Sequence, residues 1–271
     1  MTHAHAFAKI NIGLLVGSLR ADGKHEIVTL LQRIDLRDDV WLEPAADLAV
    51  EGFADDTIVR AALESIARAA GVEPRWRVRI DKRIPVASGL GGGSSDAAAA
   101  LGLANALLPS PLDRESLHRL AADLGADVPF FLTVGPQVAT GDGSDLEPVD
   151  LPTDYHVALV LPSSPTKAST AAVYREFDER GGGEALDGRD ASFRRTIAGI
   201  SRARDLGALP LNDLVSSPLV ERLRAMGAFR ADVSGAGPTV YGLFERRPDA
   251  EAAAEDLAEA GLTTLARPVA R

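Results

Sequence analysis

The chain has 271 residues, 46% hydrophobic and 25% charged, with a formal net charge of −10. That balance excludes a nucleic-acid or anionic-membrane surface as its main business, because phosphate backbones are bound through clustered cations. It has no cysteine, which excludes disulfides, thiolate catalysis and cysteine-ligated metal.

No apolar run is long enough to cross a bilayer, and MTHAHAFAKINIGLLV has neither a basic leader nor a small-residue cleavage site, so a cytoplasmic protein acting on small molecules is expected. The length is large for one hydrophobic core, and two domains, 1–150 and 151–271, are expected.

In chain order, Phe7 to Val16 alternates as a strand, with Ala8, Ile10, Ile12 and Leu14 on one face and Lys9, Asn11 and Gly13 on the other. His3 and His5 precede it in what reads as a loose tail without carboxylate or cysteine company, a poor metal site. A β-like region follows from Glu26 through IVTLLQRIDL to DDVWLEP, then an amphipathic helix, DDTIVRAALESIARAAG, stopped by Gly71. RWRVRIDKRIP alternates as a strand.

Asp96 to Leu108 is helical on alanine and leucine propensity. SPLDRESLHRLAADLG predicts a helix with Ser110 as N-cap, Pro111 in the first helical position and Gly125 at its end. Further on, YHVALVLP is a buried strand, DERGGGEALDGRDAS a mobile loop and PLVERLRAMG a helix. ADVSGAGPTVYGLFE reads as strand, glycine turn and strand, and DAEAAAEDLAEAG as a charged helix. Strands and helices alternate irregularly, so α+β is expected in preference to a doubly wound sheet.

Between the RWRVRID strand and the alanine-rich helix lies IPVASGLGGGSSDAA. A helix N-terminus offers unpaired amides and partial positive charge, and glycines let the main chain approach a ligand, so this order suits phosphate. A Walker loop fails because Gly93 stands where its lysine belongs, and a dinucleotide fingerprint fails at Ser94, where its third glycine belongs. The pattern P-x-x-x-G-L-G-x-x-S-S is met by Pro85, Gly89, Leu90, Gly91, Ser94 and Ser95.

In that loop the chain resembles the GHMP kinases, within them most of all those acting on a cytidyl-diphosphate-bearing alcohol of the non-mevalonate isoprenoid route. FAKINIGLLVGSLRADGKHEIVTLLQRIDLRD, GADVPFFL, LNDL and VSGAGPTVYGLF are similar to further motifs of the family, in the same order. The resemblance implies an N-terminal domain like ribosomal protein S5 domain 2, a ferredoxin-like C-terminal domain, a site in the cleft between them, ATP as phosphoryl donor and Mg2+ with it.

It also implies roles. Asp127 is the base for the substrate hydroxyl and Lys9 its partner; sequence alone favours an N-cap for Asp127 and a solvated strand face for Lys9, and the resemblance reverses that preference. Asn11 and Thr170 contact substrate, His25 reads the cytosine edge and Tyr174 stacks on that base. The main chain from Leu90 to Ser95, including Gly92 and Gly93, holds the phosphates, Lys82, Asp96 and Asp56 approach the nucleotide, and Gly235 to Gly237 close the phosphate side. The chain departs from the family pattern at Asp56, where asparagine is usual, and at Lys24, where an aromatic is usual. Lys24 is one of only four lysines (Lys9, Lys24, Lys82, Lys167); it is a candidate to cover the base by cation–π contact or to reach the diphosphate. A GHMP kinase for mevalonate, homoserine or a sugar, and a nucleotide-binding module without turnover, are the rival readings.

Overall fold

The computed structural model describes residues 1–52, 58–164, 169–183 and 186–270. Its elements in chain order are β1 (Thr2–Leu19), β2 (His25–Pro44), β3 (Ala49–Glu51), α1 (Ile58–Ala70), β4 (Trp76–Asp81), α2 (Gly92–Leu107), α3 (Arg114–Leu124), α4 (Val128–Phe131), β5 (Gln137–Gly141) and β6 (Asp145–Pro148). There follow β7 (His156–Pro162), α5 (Thr170–Glu179), α6 (Asp187–Ala198), a 3-10 turn (Ala203–Ala208), α7 (Pro218–Ala225), β8 (Arg230–Val233), β9 (Val240–Phe244), α8 (Arg247–Asp256) and β10 (Gly261–Ala266). No described helix is long and apolar enough to cross a membrane.

The residues form two compact units, the first from 1–8, 36–86 and 91–134, the second from 9–35, 87–90 and 135–271. They do not coincide with the expected single division at residue 150, because β1 and β2 each pass from one unit into the other.

In the first unit, β2 pairs antiparallel with β4, Val40 opposite Ile80, and β3 pairs parallel with β4, Val50 opposite Val78. One face of these strands buries Val40, Leu42, Val78 and Ile80 in a core with Val59, Leu63 and Ile66 of α1 and Ala97, Leu101 and Ala104 of α2. The small alanines of α2 allow it to pack closely in this core.

In the second unit, β10-β7-β9-β8 form an antiparallel sheet, the strand order of a ferredoxin-like βαββαβ fold. Ala158, Val160, Val233 and Phe244 of this sheet pack with Val220 and Leu223 of α7 and Ala250, Ala253 and Leu257 of α8. β2 also pairs with β5, Leu30 opposite Val138, and β5 with β6. Helix α5 packs Val173 and Phe177 against Leu14 and Val16 of β1, which brings Tyr174 over the start of β2.

Several local expectations are corrected. His3 and His5 belong to β1, whose buried Ala6 and Ala8 extend the alternation seen from Phe7 onward. Helix α2 starts at Gly92, four residues before Asp96. Asp113, not Ser110, caps α3, its carboxylate accepting the Ser116 N–H at 2.8 Å; Asn105 holds the approach by bonding Leu112 N–H and C=O at 2.7 and 3.1 Å, so the chain is extended through Pro111. The DERGGGEALDGRDAS tract is helical at its two ends, where Asp178 and Glu179 end α5 and Asp187 to Ser192 open α6; 180–183 between them are not helical, and 184–185 lie outside the described residues. Phe193 and Ile197, four residues apart, are its buried anchors.

Candidate active site

In the second unit, Lys9 and Asn11 lie two residues apart on β1 and so share a face. Both are buried. The Lys9 ammonium donates to Asn11 Oδ1 at 2.7 Å, the Asn11 amide donates to the Thr29 hydroxyl at 3.0 Å, and Thr29 donates to the Gly13 carbonyl at 2.8 Å. This relay fixes the Asn11 amide with its oxygen toward the ammonium. A lysine is costly to bury, and on a buried β-strand face it is not the solvated residue its type suggests.

The Lys9 backbone N–H donates to the Leu90 carbonyl at 2.9 Å, tying β1 to the glycine loop. Gly89 has φ +83°, with its carbonyl accepting from the Ser234 hydroxyl at 3.0 Å. Gly235 closes the cluster, since a Cβ there would stand 3.2 Å from Asn11 Oδ1 and 3.4 Å from Lys9 Nζ. Within this unit the structure therefore brings together Lys9, Asn11, Gly89, Leu90 and Gly235, with Gly237 two residues on.

Asn212, in the LNDL motif, was given no role by sequence reasoning; its amide donates to the Val233 and Gly235 carbonyls at 3.0 and 2.6 Å and its Oδ1 accepts the Leu214 N–H at 2.8 Å. It holds the last glycine turn. Tyr241 has a similar duty, donating its hydroxyl to the Asn11 carbonyl at 3.0 Å.

In the first unit, α2 is preceded by Gly91 at φ +74° with no side-chain cap, so the first-turn amides of Gly92, Gly93 and Ser94 are left for an anion. Ser95 and Asp96 are buried, while Ser94 is only half-buried. A Cβ on Gly92 would stand 3.0 Å from Ile84 Cγ2 and 3.3 Å from Lys82 Nζ, so the loop has no room for a side chain there and an ammonium lies beside it.

Lys82 is committed to two carboxylates, Asp38 at 2.6 Å and Asp96 at 2.7 Å. Asp38, which no sequence signal singled out, also accepts the backbone N–H groups of Arg83 and Ile84 at 2.5 and 2.8 Å. Lys82 and Asp96 thus pin the segment carrying Pro85 to the first turn of α2, a structural part in addition to any approach to nucleotide.

Burial pushes the Asp96 carboxyl up to about 7, with Asp38 adding to the shift and Lys82 opposing it. Burial also works against the Lys82 charge, but Asp96 and Asp38 hold its pKa above the ordinary lysine value. One ammonium against two carboxylates leaves one negative charge in excess, so Lys82 stays charged and Asp96 takes the surplus proton. The folded state then keeps a proton that the unfolded chain releases near pH 4, and this contribution to stability is lost as pH rises through about 7. The expected outcome is a contribution to Tm that falls between about pH 5 and 7, and a smaller fall in Asp96→Asn; thermal unfolding across that range checks it, and equal slopes contradict it.

Asp127 is half-buried at φ −81° and ψ −17°, immediately before α4, and makes no capping hydrogen bond to that helix. It therefore occupies the N-cap position without a side-chain capping bond. Asp56 and Lys167 lie outside the described residues.

His25 is buried at the start of β2, with Nε2 2.8 Å from Asp178 Oδ1 and its ring stacked on Tyr174 at 5.1 Å between centroids. Phe177 meets the same ring edge-on at 6.0 Å. The two residues assigned to the base are thus adjacent, with Tyr174 stacked on His25 itself. Thr170 is exposed one helical turn before Tyr174. Lys24 forms an ion pair with Asp142, an anchor the sequence did not reveal. Burial would raise Asp142, but hydrogen bonds from Lys24 and Ser144 hold its pKa at about 2.

A glycine-lined helix start for phosphate and a buried strand lysine beside a second glycine turn describe a small-molecule phosphotransferase. Comparison with known proteins agrees: residues 57–135 match the GHMP kinases N-terminal domain and residues 201–262 the GHMP kinases C-terminal domain. The chain belongs to the GHMP kinase family. It is 35% identical to 4-diphosphocytidyl-2-C-methyl-D-erythritol kinase of Chlorobium phaeobacteroides (strain BS1), over 97% of this chain and 96% of that one. A crystal structure of 4-(cytidine 5'-diphospho)-2C-methyl-D-erythritol kinase superposes with a TM-score of 0.81 at 32% identity, covering 100% of both chains. A mevalonate kinase structure matches with a TM-score of 0.76 at 13% identity, covering 100% of both chains; that likeness speaks to fold alone.

Proposed function

We propose that the protein transfers the γ-phosphoryl group of ATP to the 2-hydroxyl of 4-diphosphocytidyl-2-C-methyl-D-erythritol, a step in non-mevalonate isoprenoid precursor synthesis. The observation that carries the chemistry is the buried Lys9 ammonium, oriented by Asn11 and packed against Gly235; the choice of alcohol rests on the relatives' names.

Phosphoryl transfer is catalysed by alignment and charge stabilisation more than by covalent participation. The substrate oxygen forms a bond to the γ-phosphorus as the bond to the β,γ-bridging oxygen breaks, and ADP leaves with that electron pair. Asp127 takes the hydroxyl proton, and Lys9 offsets negative charge on the transferring group. The amides opening α2 are assigned to the phosphates.

Mg2+ enters as part of the ATP complex. Asp38 and Asp96 are a poor site for it, because the Lys82 ammonium already bridges them. Tyr174, backed by His25, offers a flat surface for the cytosine, and Thr170 extends that face of α5. Lys24, tied to Asp142, is the one observation that favours a different alcohol.

Product analysis tests the reaction. With ATP and the cytidyl alcohol, 31P spectra are expected to show ADP and one new phosphomonoester on the tertiary 2-hydroxyl; ADP with free phosphate and no ester overturns it. Tyr174→Ala is expected to raise KM for the cytidyl alcohol roughly tenfold or more with KM for ATP unchanged, as initial rates will show.

A further inference from the structure

We propose that His3, His5 and Asp39 form a binding site for a late first-row divalent metal ion of the zinc type. His3 and His5 alternate onto the same face of β1. His3 Nε2 lies 3.0 Å and His5 Nδ1 2.7 Å from one oxygen, Oδ1 of Asp39 on β2. One ligand atom from each residue falls within a 4.8 Å group. Around an ion with bonds of about 2.0–2.1 Å, neighbouring donors stand about 3.0–3.4 Å apart in octahedral to tetrahedral arrangements, so a small adjustment seats the ion.

The donors are held on rigid elements. The His3 ring packs on Trp41 at 4.9 Å and meets His5 edge-on at 4.7 Å, while Arg83 holds the second Asp39 oxygen at 3.3 Å. Asp39 is paired with Asp81 in the β2–β4 ladder. Side-chain exposure of 36% for His3 and 39% for His5, against 11% for Asp39, leaves an entry path and room for water as the remaining ligand.

Two imidazoles with one carboxylate select Zn2+, Ni2+ or Cu2+ over Mg2+ and Ca2+, which prefer all-oxygen shells. The site is therefore distinct in chemistry from the Mg2+ that accompanies ATP. It also faces away from Asp38, the next residue along β2, whose side chain turns to Lys82. A bound ion would staple β1 to β2 near the start of the chain.

The test is calorimetric titration of the untagged, chelator-stripped full chain with Zn2+, without nucleotide, and the visible spectrum of the Co2+ form. One saturable equivalent with a Co2+ spectrum of mixed nitrogen and oxygen ligation is expected, together with a rise in Tm on adding Zn2+. His3→Gln and His5→Gln should each weaken Zn2+ by at least about tenfold, the lower end of what even an outer-shell loss costs, and abolish the Tm rise with kinase turnover unchanged. Absence of saturable binding by the wild-type chain overturns the proposal whether or not the variants fold, and so does an affinity that is the same in wild type and both variants.

Discussion

Asp127→Asn is expected to lower turnover about 10²- to 10⁴-fold, the usual contribution of a positioned general base, while ATP binding is retained. The substitution keeps shape and removes only the ability to take a proton. Asp127 makes no capping bond to α4, so loss of a helix cap does not enter the expected effect. Steady-state ADP release together with nucleotide titration checks both halves. Turnover within threefold of wild type would remove Asp127 from its role; loss of both turnover and Tm would make the residue structural.

The second large effect is expected at Gly89. Its φ of +83° is a left-handed conformation, and an added Cβ would stand 2.6 Å from the Ser234 carbonyl oxygen and 2.7 Å from that of Gly237. Both are main-chain atoms that cannot rotate aside. Strain and overpacking together cost about 2–4 kcal/mol, a fall in Tm of roughly 5–15 °C. The loop that carries the phosphates must shift to relieve the clash, so KM for ATP rises as well. Gly93→Ala is the control, because among the described residues its Cβ would meet only Ile58 Cγ2 at 3.6 Å, an ordinary contact; its Tm should stay within about 2 °C of wild type, a surface-sized effect. If Gly89→Ala and Gly93→Ala melt alike, the special geometry of Gly89 is not what the loop requires.

Much of this site was legible in the amino-acid sequence because its parts are local patterns. The strand, glycine and helix order around Gly89 to Ser95 is a backbone requirement written in residue types, and the period-two alternation of β1 put Lys9 and Asn11 on one face. What was not legible depends on distant partners. Asp38 looks like any surface aspartate until β2 pairs with β4 and carries it to Lys82. Asn212 sits in a recognisable LNDL run, yet its duty of holding the Gly235 turn is set by a fold that returns the chain to it. His25 and Tyr174 were read as two separate contacts to a base; the packing of α5 on β1 stacks them on each other and gives His25 an Asp178 partner.

The elements missed or misread in the sequence share a cause. β10, for which no element was predicted, has the polar run Thr263 and Thr264 and becomes a strand through its pairing with β7. α6 is weakly hydrophobic, and Phe193 with Ile197 supplies the burial that its propensity does not. His3 and His5 looked solitary because the carboxylate they meet is more than thirty residues away.

The most direct test of the central claim is a comparison of kcat/KM, with Mg2+ and ATP, for 4-diphosphocytidyl-2-C-methyl-D-erythritol, mevalonate and homoserine. The account predicts substrate-dependent ADP formation with the cytidyl alcohol at least a hundredfold above either competitor, a margin of about 2.7 kcal/mol in transition-state binding. Rapid turnover of mevalonate or homoserine with none of the cytidyl alcohol, or ATP binding without turnover of any alcohol, would contradict it.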